Sequence, residues 1–124
     1  FAVFQNAGYM GLYGGMTVDD IHRKKNLEVG QKILDYMGST ELIANLFRIS
    51  QTEEKLRKDG VDSADTATAV HYKVGSEVRE AIEKIGGTMP EDLPTPEKSI
   101  AQLEKEQLQR LKQQALDGQL MLDE

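Results

Sequence analysis

Few residues in this chain have the types and spacing that chemistry needs, and the most suggestive lie near its start. Gly8, Gly11, Gly14 and Gly15, interleaved with Tyr9 and Tyr13, precede a helix-like run opening at Thr17. Glycines ahead of a helix N-terminus can cradle a phosphate, because free N–H groups and the helix dipole both favour an anion. The nucleotide-binding signatures nevertheless fail. Gly14-Gly15 is followed by Met16-Thr17 where a phosphate loop needs lysine and a hydroxyl, and no Gly-x-Gly pair is present. Tight turns, with Tyr9, Leu12 and Tyr13 packing on the core, are the plainer reading.

Arg23, Lys24, Lys25 and Lys32 cluster on what reads as two short helices, loosely resembling a helix-turn-helix. With Tyr9 or Tyr13 stacking on bases they form the candidate nucleic-acid surface. Asp19, Asp20, Glu28 and Asp35 are interleaved with these cations, which favours a mixed, solvated face. On the third predicted helix Asn45, Arg48, Thr52 and Lys55 fall on one side. Such a polar stripe is usually plain surface, and it is also the best candidate for contact with a partner protein. His22 and His71 sit in no chelating spacing, and nothing pairs a nucleophile with a base. No catalytic residue, cofactor or metal is expected.

The elements that position these residues read as all-α: one domain of about five helices, two short and then three longer, after a glycine-rich lead-in loop over residues 1–16. Thr17 with Asp20 makes a capping box for a helix over Val18 to Lys25. A second short helix is expected from Val29 to Met37, stopped by Gly38. The third, Thr40 to Lys58, carries Leu42, Leu46, Ile49 and Leu56 as its apolar stripe. In the fourth, Val70, Val74, Val78, Ile82 and Ile85 recur at helical spacing. Gly75 inside it implies either a closely approaching backbone or a tolerated cost. Pro90, Pro94 and Pro96 deny regular structure, and Thr95 with Pro96 is expected to start a last helix over 96–117, leaving 119–124 as a tail.

Net charge is −6 and divides unevenly. Residues 1–58 hold eight basic against seven acidic side chains and 59–124 hold seven against fourteen, so a phosphate backbone could be met only by the N-terminal half. The absence of cysteine rules out disulfides and fits a reducing cytoplasm. No apolar run or leader suggests a membrane. Phe1 in place of Met reads as the continuation of a longer protein.

Three blocks, "FAVFQNAGYMGLYGGMTVDDIHRKK", "ILDYMGSTELIANLFRISQTEEKLRK" and "HYKVGSEVREAIEKIGGTMPEDLPTPEKSI", closely resemble the C-terminal part of the bacterial DNA-damage-inducible protein D family, through about Leu103. In that family an N-terminal domain similar to antirepressor-like phage regulators precedes this region. The resemblance implies a regulatory, non-enzymatic part in the DNA-damage (SOS) response, and it supplies no catalytic motif. A module acting on a protein partner is therefore expected, with direct DNA contact as the alternative. Ile100, Leu103, Leu108 and Leu111, with Leu120, Met121 and Leu122 beyond, form an apolar face that must be covered. The last helix either folds back onto the others or projects and pairs with a second copy as a two-fold dimer.

Overall fold

The computed structural model describes the backbone of residues 2–122 and the side chains of 2–118. Five α-helices, α1 (Ala2–Leu12), α2 (Val18–Lys24), α3 (Ser39–Lys58), α4 (Ala64–Ile85) and α5 (Ile100–Leu122), are joined by 3-10 turns at Ile33–Tyr36 and Pro90–Asp92. No strand occurs among the described residues.

The lead-in loop expected over residues 1–16 is a helix through Leu12. What makes it one is tertiary. Gly11 lies on the face that meets α4, opposite Gly75, and Gly8 presents its carbonyl oxygen there. A Cβ on Gly11 would fall 2.2 Å from the Tyr72 carbonyl oxygen, and one on Gly75 would fall 2.6 Å from that of Gly8. The two backbones therefore touch. Glycines that weaken an isolated helix by about 0.5–1 kcal/mol each here allow a contact no other residue permits. Only Gly14 and Gly15 turn the chain: both have positive φ, and the Gly15 N–H closes the helix on the Met10 carbonyl at 2.7 Å.

The next element begins as its sequence predicts. Thr17 Oγ1 accepts from the Asp20 N–H at 3.1 Å and Asp20 Oδ2 from the Thr17 N–H at 3.0 Å. Asn6 of α1 accepts from the Val18 N–H and fixes the angle between α1 and α2. The helix expected over Val29 to Met37 is instead a loop ending in the four-residue turn Ile33–Tyr36. Gly30 takes φ 88° and Val29 points into solvent, so no helical turn can form ahead of Ile33.

Tyr9, Leu12 and Tyr13 of α1, Ile21 of α2, Ile33 and Met37 of the first turn, and Val70, Val74 and Val78 of α4 make the core. α3 faces this core with the side its sequence marks as surface. Its buried residues are Glu41, Asn45, Arg48 and Thr52, whereas Leu42 and Leu56 are half-buried at the margin and Leu46 is exposed.

α5 starts at Ile100 rather than Pro96, because Ser99 supplies the cap. Its Oγ accepts from the Gln102 N–H, and the Gln102 side chain accepts from the Ser99 N–H. The helix also runs through Gly118, which no neighbouring atom crowds, instead of stopping there. Its main packing against the rest of the domain is at the Ile33–Tyr36 turn. Leu103, Leu108 and Leu111 remain between 40% and 54% exposed, so α5 projects. Leu120, Met121 and Leu122 lie beyond the described side chains.

Candidate functional site

The face α3 turns inward builds one continuous polar chain through the centre of the domain. At one end Lys25, just past α2, is 7% exposed and spends all three ammonium donors. They go to Glu41 Oε1 at 3.1 Å, the Pro90 carbonyl at 2.8 Å and the Leu93 carbonyl at 2.6 Å. α4 is closed by Gly86, which takes φ 88°, and the Pro90–Asp92 turn beyond it, with Leu93, delivers those carbonyls. Glu41 Oε2 accepts from the Tyr13 hydroxyl. Tyr13 in turn accepts from Asn45 Nδ2 at 3.1 Å, and Asn45 Oδ1 accepts from Arg48 Nη2 at 3.0 Å. Arg48 lies over the Tyr9 ring, 4.8 Å from its centroid, and Thr52 donates to the Arg48 carbonyl. Burial pushes the Tyr13 phenol above its ordinary range, and its hydrogen bond to the Glu41 carboxylate adds to this. Burial also raises Tyr9, against the opposing charge of Arg48. Both phenols are therefore neutral, and Tyr13 keeps the proton it donates to Glu41.

Asn45 and Thr52 are wholly buried and Arg48 is 3% exposed, so three of the four residues expected to meet a partner are interior. The physical reason is the network itself: Asn45 and Thr52 find hydrogen-bond partners inside that repay the loss of water, and Arg48 is drawn in by Asn45 and the Tyr9 ring. Lys55 is at the surface, paired with Asp59 at 2.9 Å. The nucleic-acid cluster is likewise divided. Tyr9, Tyr13 and Lys25 are buried and cannot stack on bases or reach a phosphate. Arg23 pairs with Asp20 at 2.7 Å, Lys24 lies 3.9 Å from Asp92, and Lys32 is exposed beside the first 3-10 turn. Sequence reasoning missed Glu41 and the inward role of Lys25. The available signal was that Glu41, Asn45, Arg48 and Thr52 recur at three and four, the spacing of a core face.

Outward, α3 presents Ile43, Leu46 and Phe47, each more than half exposed. Across a groove of about 290 Å³ stand Ile82 and Ile85 of α4, with Leu93 at one end. Arg79 and Glu91 brace the back of α4 through two hydrogen bonds at 2.8 and 2.9 Å. Burial opposes ionisation of Glu91, but this fork outweighs it and holds the carboxyl below its usual value.

His22 Nε2 donates to the Gln31 carbonyl of its own loop at 2.9 Å. His71 stacks on Phe4, centroids 5.3 Å apart and rings parallel. Burial lowers its pKa below the ordinary 6.5, the Arg48 charge lowers it further, and Glu53 partly opposes. The unfolded chain thus binds more protons than the folded one just below that value. Stability is expected to be constant above it and to fall as pH drops through about 6.5 towards the folded pKa. Urea unfolding midpoints should show this component, and His71→Phe should lose it while keeping the stack.

No group of three or more histidine, aspartate or glutamate side chains able to hold a metal occurs among the described residues, and none of the described helices is long and apolar enough to cross a membrane. Residues 1–103 match the family model described as the DinD C-terminal domain. The "DNA damage-inducible protein D" of Escherichia coli (strain K12) is 62% identical over 104 residues, 84% of this chain. The chain spans 38% of that relative's length. No solved structure matches. Since the family model takes in the entire polar network and both walls of the α3–α4 groove, this chain belongs to the DinD C-terminal domain family.

Proposed function

We propose that this domain is a non-enzymatic interaction module of a bacterial DNA-damage (SOS) response protein, working in the cytoplasm through a protein partner. The observation that carries this reading is the outward face of α3. Ile43, Leu46 and Phe47 stand in solvent beside Ile85, which is 82% exposed, an apolar strip of the kind that marks protein contact sites. The name of the Escherichia coli relative supplies the damage context. Lys25, Glu41, Tyr13 and Asn45 are spent on one another, and neither histidine is bonded to a carboxylate or hydroxyl among the described residues. Self-association belongs to the same reading: the projecting Leu103, Leu108 and Leu111 face of α5 pairs with a second copy.

Capture experiments from damaged cells, with full-length protein and with this domain, test the module. Partners held by the domain should be lost on Phe47→Glu with Ile43→Glu at an unchanged unfolding midpoint. Retention by the variant contradicts the reading. So does DNA binding that weakens steeply with salt and disappears on Lys24→Glu with Lys32→Glu. Sedimentation of the chain and of a version ending at Lys98 tests pairing, which a monomeric intact chain would refute.

A further inference from the structure

A second hollow, of about 270 Å³, opens between α1, α3 and α4, away from the α3–α4 groove. Phe4, Leu34, Ile49 and Leu56 give it apolar walls, and Gln5, Arg48, Glu53 and His71 are its polar members. Its size is just below the range of about 300–1,000 Å³ typical of small-ligand sites.

The charge balance of the interior singles out Arg48. Lys25 and Glu41 neutralise each other, and every donor of Lys25 has an acceptor. Arg48 is just as deeply buried and has no carboxylate. Its guanidinium makes a single hydrogen bond among the described residues, from Nη2 to Asn45, and its Nε has no acceptor at all. Burial presses against its charge, but a guanidinium keeps its proton, so the interior carries an unmatched cation. An unpaired buried charge is among the costliest features a fold can hold, and an anion seated in the hollow would remove that cost. Gly8 lies directly against the cation: a Cβ there would fall 2.2 Å from Nη1, so a larger residue would push the guanidinium from its present place.

We propose that this hollow binds a small monocarboxylic acid with an apolar body, the carboxylate held by the unspent donors of Arg48 and the body lying against Phe4, Leu34, Ile49 and Leu56. A planar fork of N–H donors suits a carboxylate. Glu53, exposed on the lining, disfavours ligands with a second negative charge. The site is separate from the outward face of α3 and stands whether or not a protein partner binds there.

The test is a nitrogen-15 chemical-shift titration of the unaltered chain with sodium hexanoate, following the Arg48 Nε–H, with hexanamide and sodium phosphate as comparisons. Hexanoate should shift that proton saturably and bind at least about tenfold more tightly than hexanamide, while phosphate leaves it unmoved. Arg48→Lys, which keeps the charge and loses the fork, should weaken hexanoate about tenfold. If that variant does not fold, Ile49→Trp fills the hollow from its wall and should abolish the shift. Equal binding of acid and amide, an equal response to phosphate, or an Arg48 Nε–H that hexanoate does not move would overturn the proposal; the last would mean that water alone answers the guanidinium.

Discussion

Gly75→Ala is expected to destabilise the domain by about 3 kcal/mol, at the top of the overpacking range, and to broaden or abolish its cooperative unfolding. The added methyl would sit 2.6 Å from the Gly8 carbonyl oxygen and 2.9 Å from the Leu12 nitrogen, and backbone atoms cannot swing aside as a side chain can. Relief requires α1 and α4 to separate, which pulls Tyr9, Leu12 and Tyr13 away from Val70, Val74 and Val78. Gly118→Ala is the control. Nothing lies within 4 Å of a Cβ there, so the same substitution should stabilise α5 by about 0.5–1 kcal/mol. Denaturant midpoints of the two variants should therefore move in opposite directions.

The second large effect is expected at Glu41. Glu41→Ala strands the Lys25 ammonium, 4% exposed at its side chain, in the interior, and also removes the acceptor of Tyr13, for an expected loss of about 3–5 kcal/mol. For a domain whose whole stability is of order 5–15 kcal/mol, this leaves little margin. Lys25→Met should cost a comparable amount by leaving the carboxylate uncompensated, together with the Pro90 and Leu93 carbonyls. Combining Lys25→Met with Glu41→Leu should recover much of the sum, because no lone charge remains. The shortfall from full recovery reports the two orphaned carbonyls and Tyr13. Simple additivity in the cycle would mean that the two charges are not coupled.

The sequence is informative where local chemistry decides the structure. The Thr17–Asp20 box, the valine spacing of α4, and the end of that helix at Gly86 are each settled within a few residues, and α2 and α4 form where these signals lie. It is misleading where two distant segments decide jointly. Gly8 and Gly11 read as helix breakers until Gly75 lies against them, and Gly75 alone leaves two explanations open. The stripe of Asn45, Arg48 and Thr52 was visible as a stripe. Its polarity pointed to water, because the partners that make burial tolerable, Tyr13 and Lys25, come from elsewhere in the chain. The same misassignment placed Tyr9, Tyr13 and Lys25 on a nucleic-acid surface. The family resemblance was legible from three blocks of sequence, and it covers the residues that build the network.

The central claim is that α3 is turned with its polar side in and its apolar side out. Adjacent residues on that helix test it most directly. Asn45 is fully buried and Leu46 is 52% exposed, so urea unfolding of Asn45→Lys and Leu46→Lys puts one charge on each side of the same turn. The account predicts that Leu46→Lys stays within about 0.5 kcal/mol of the unaltered domain and that Asn45→Lys loses about 3 kcal/mol or more. The reverse order, with Leu46→Lys the damaging change and Asn45→Lys the tolerated one, would contradict it.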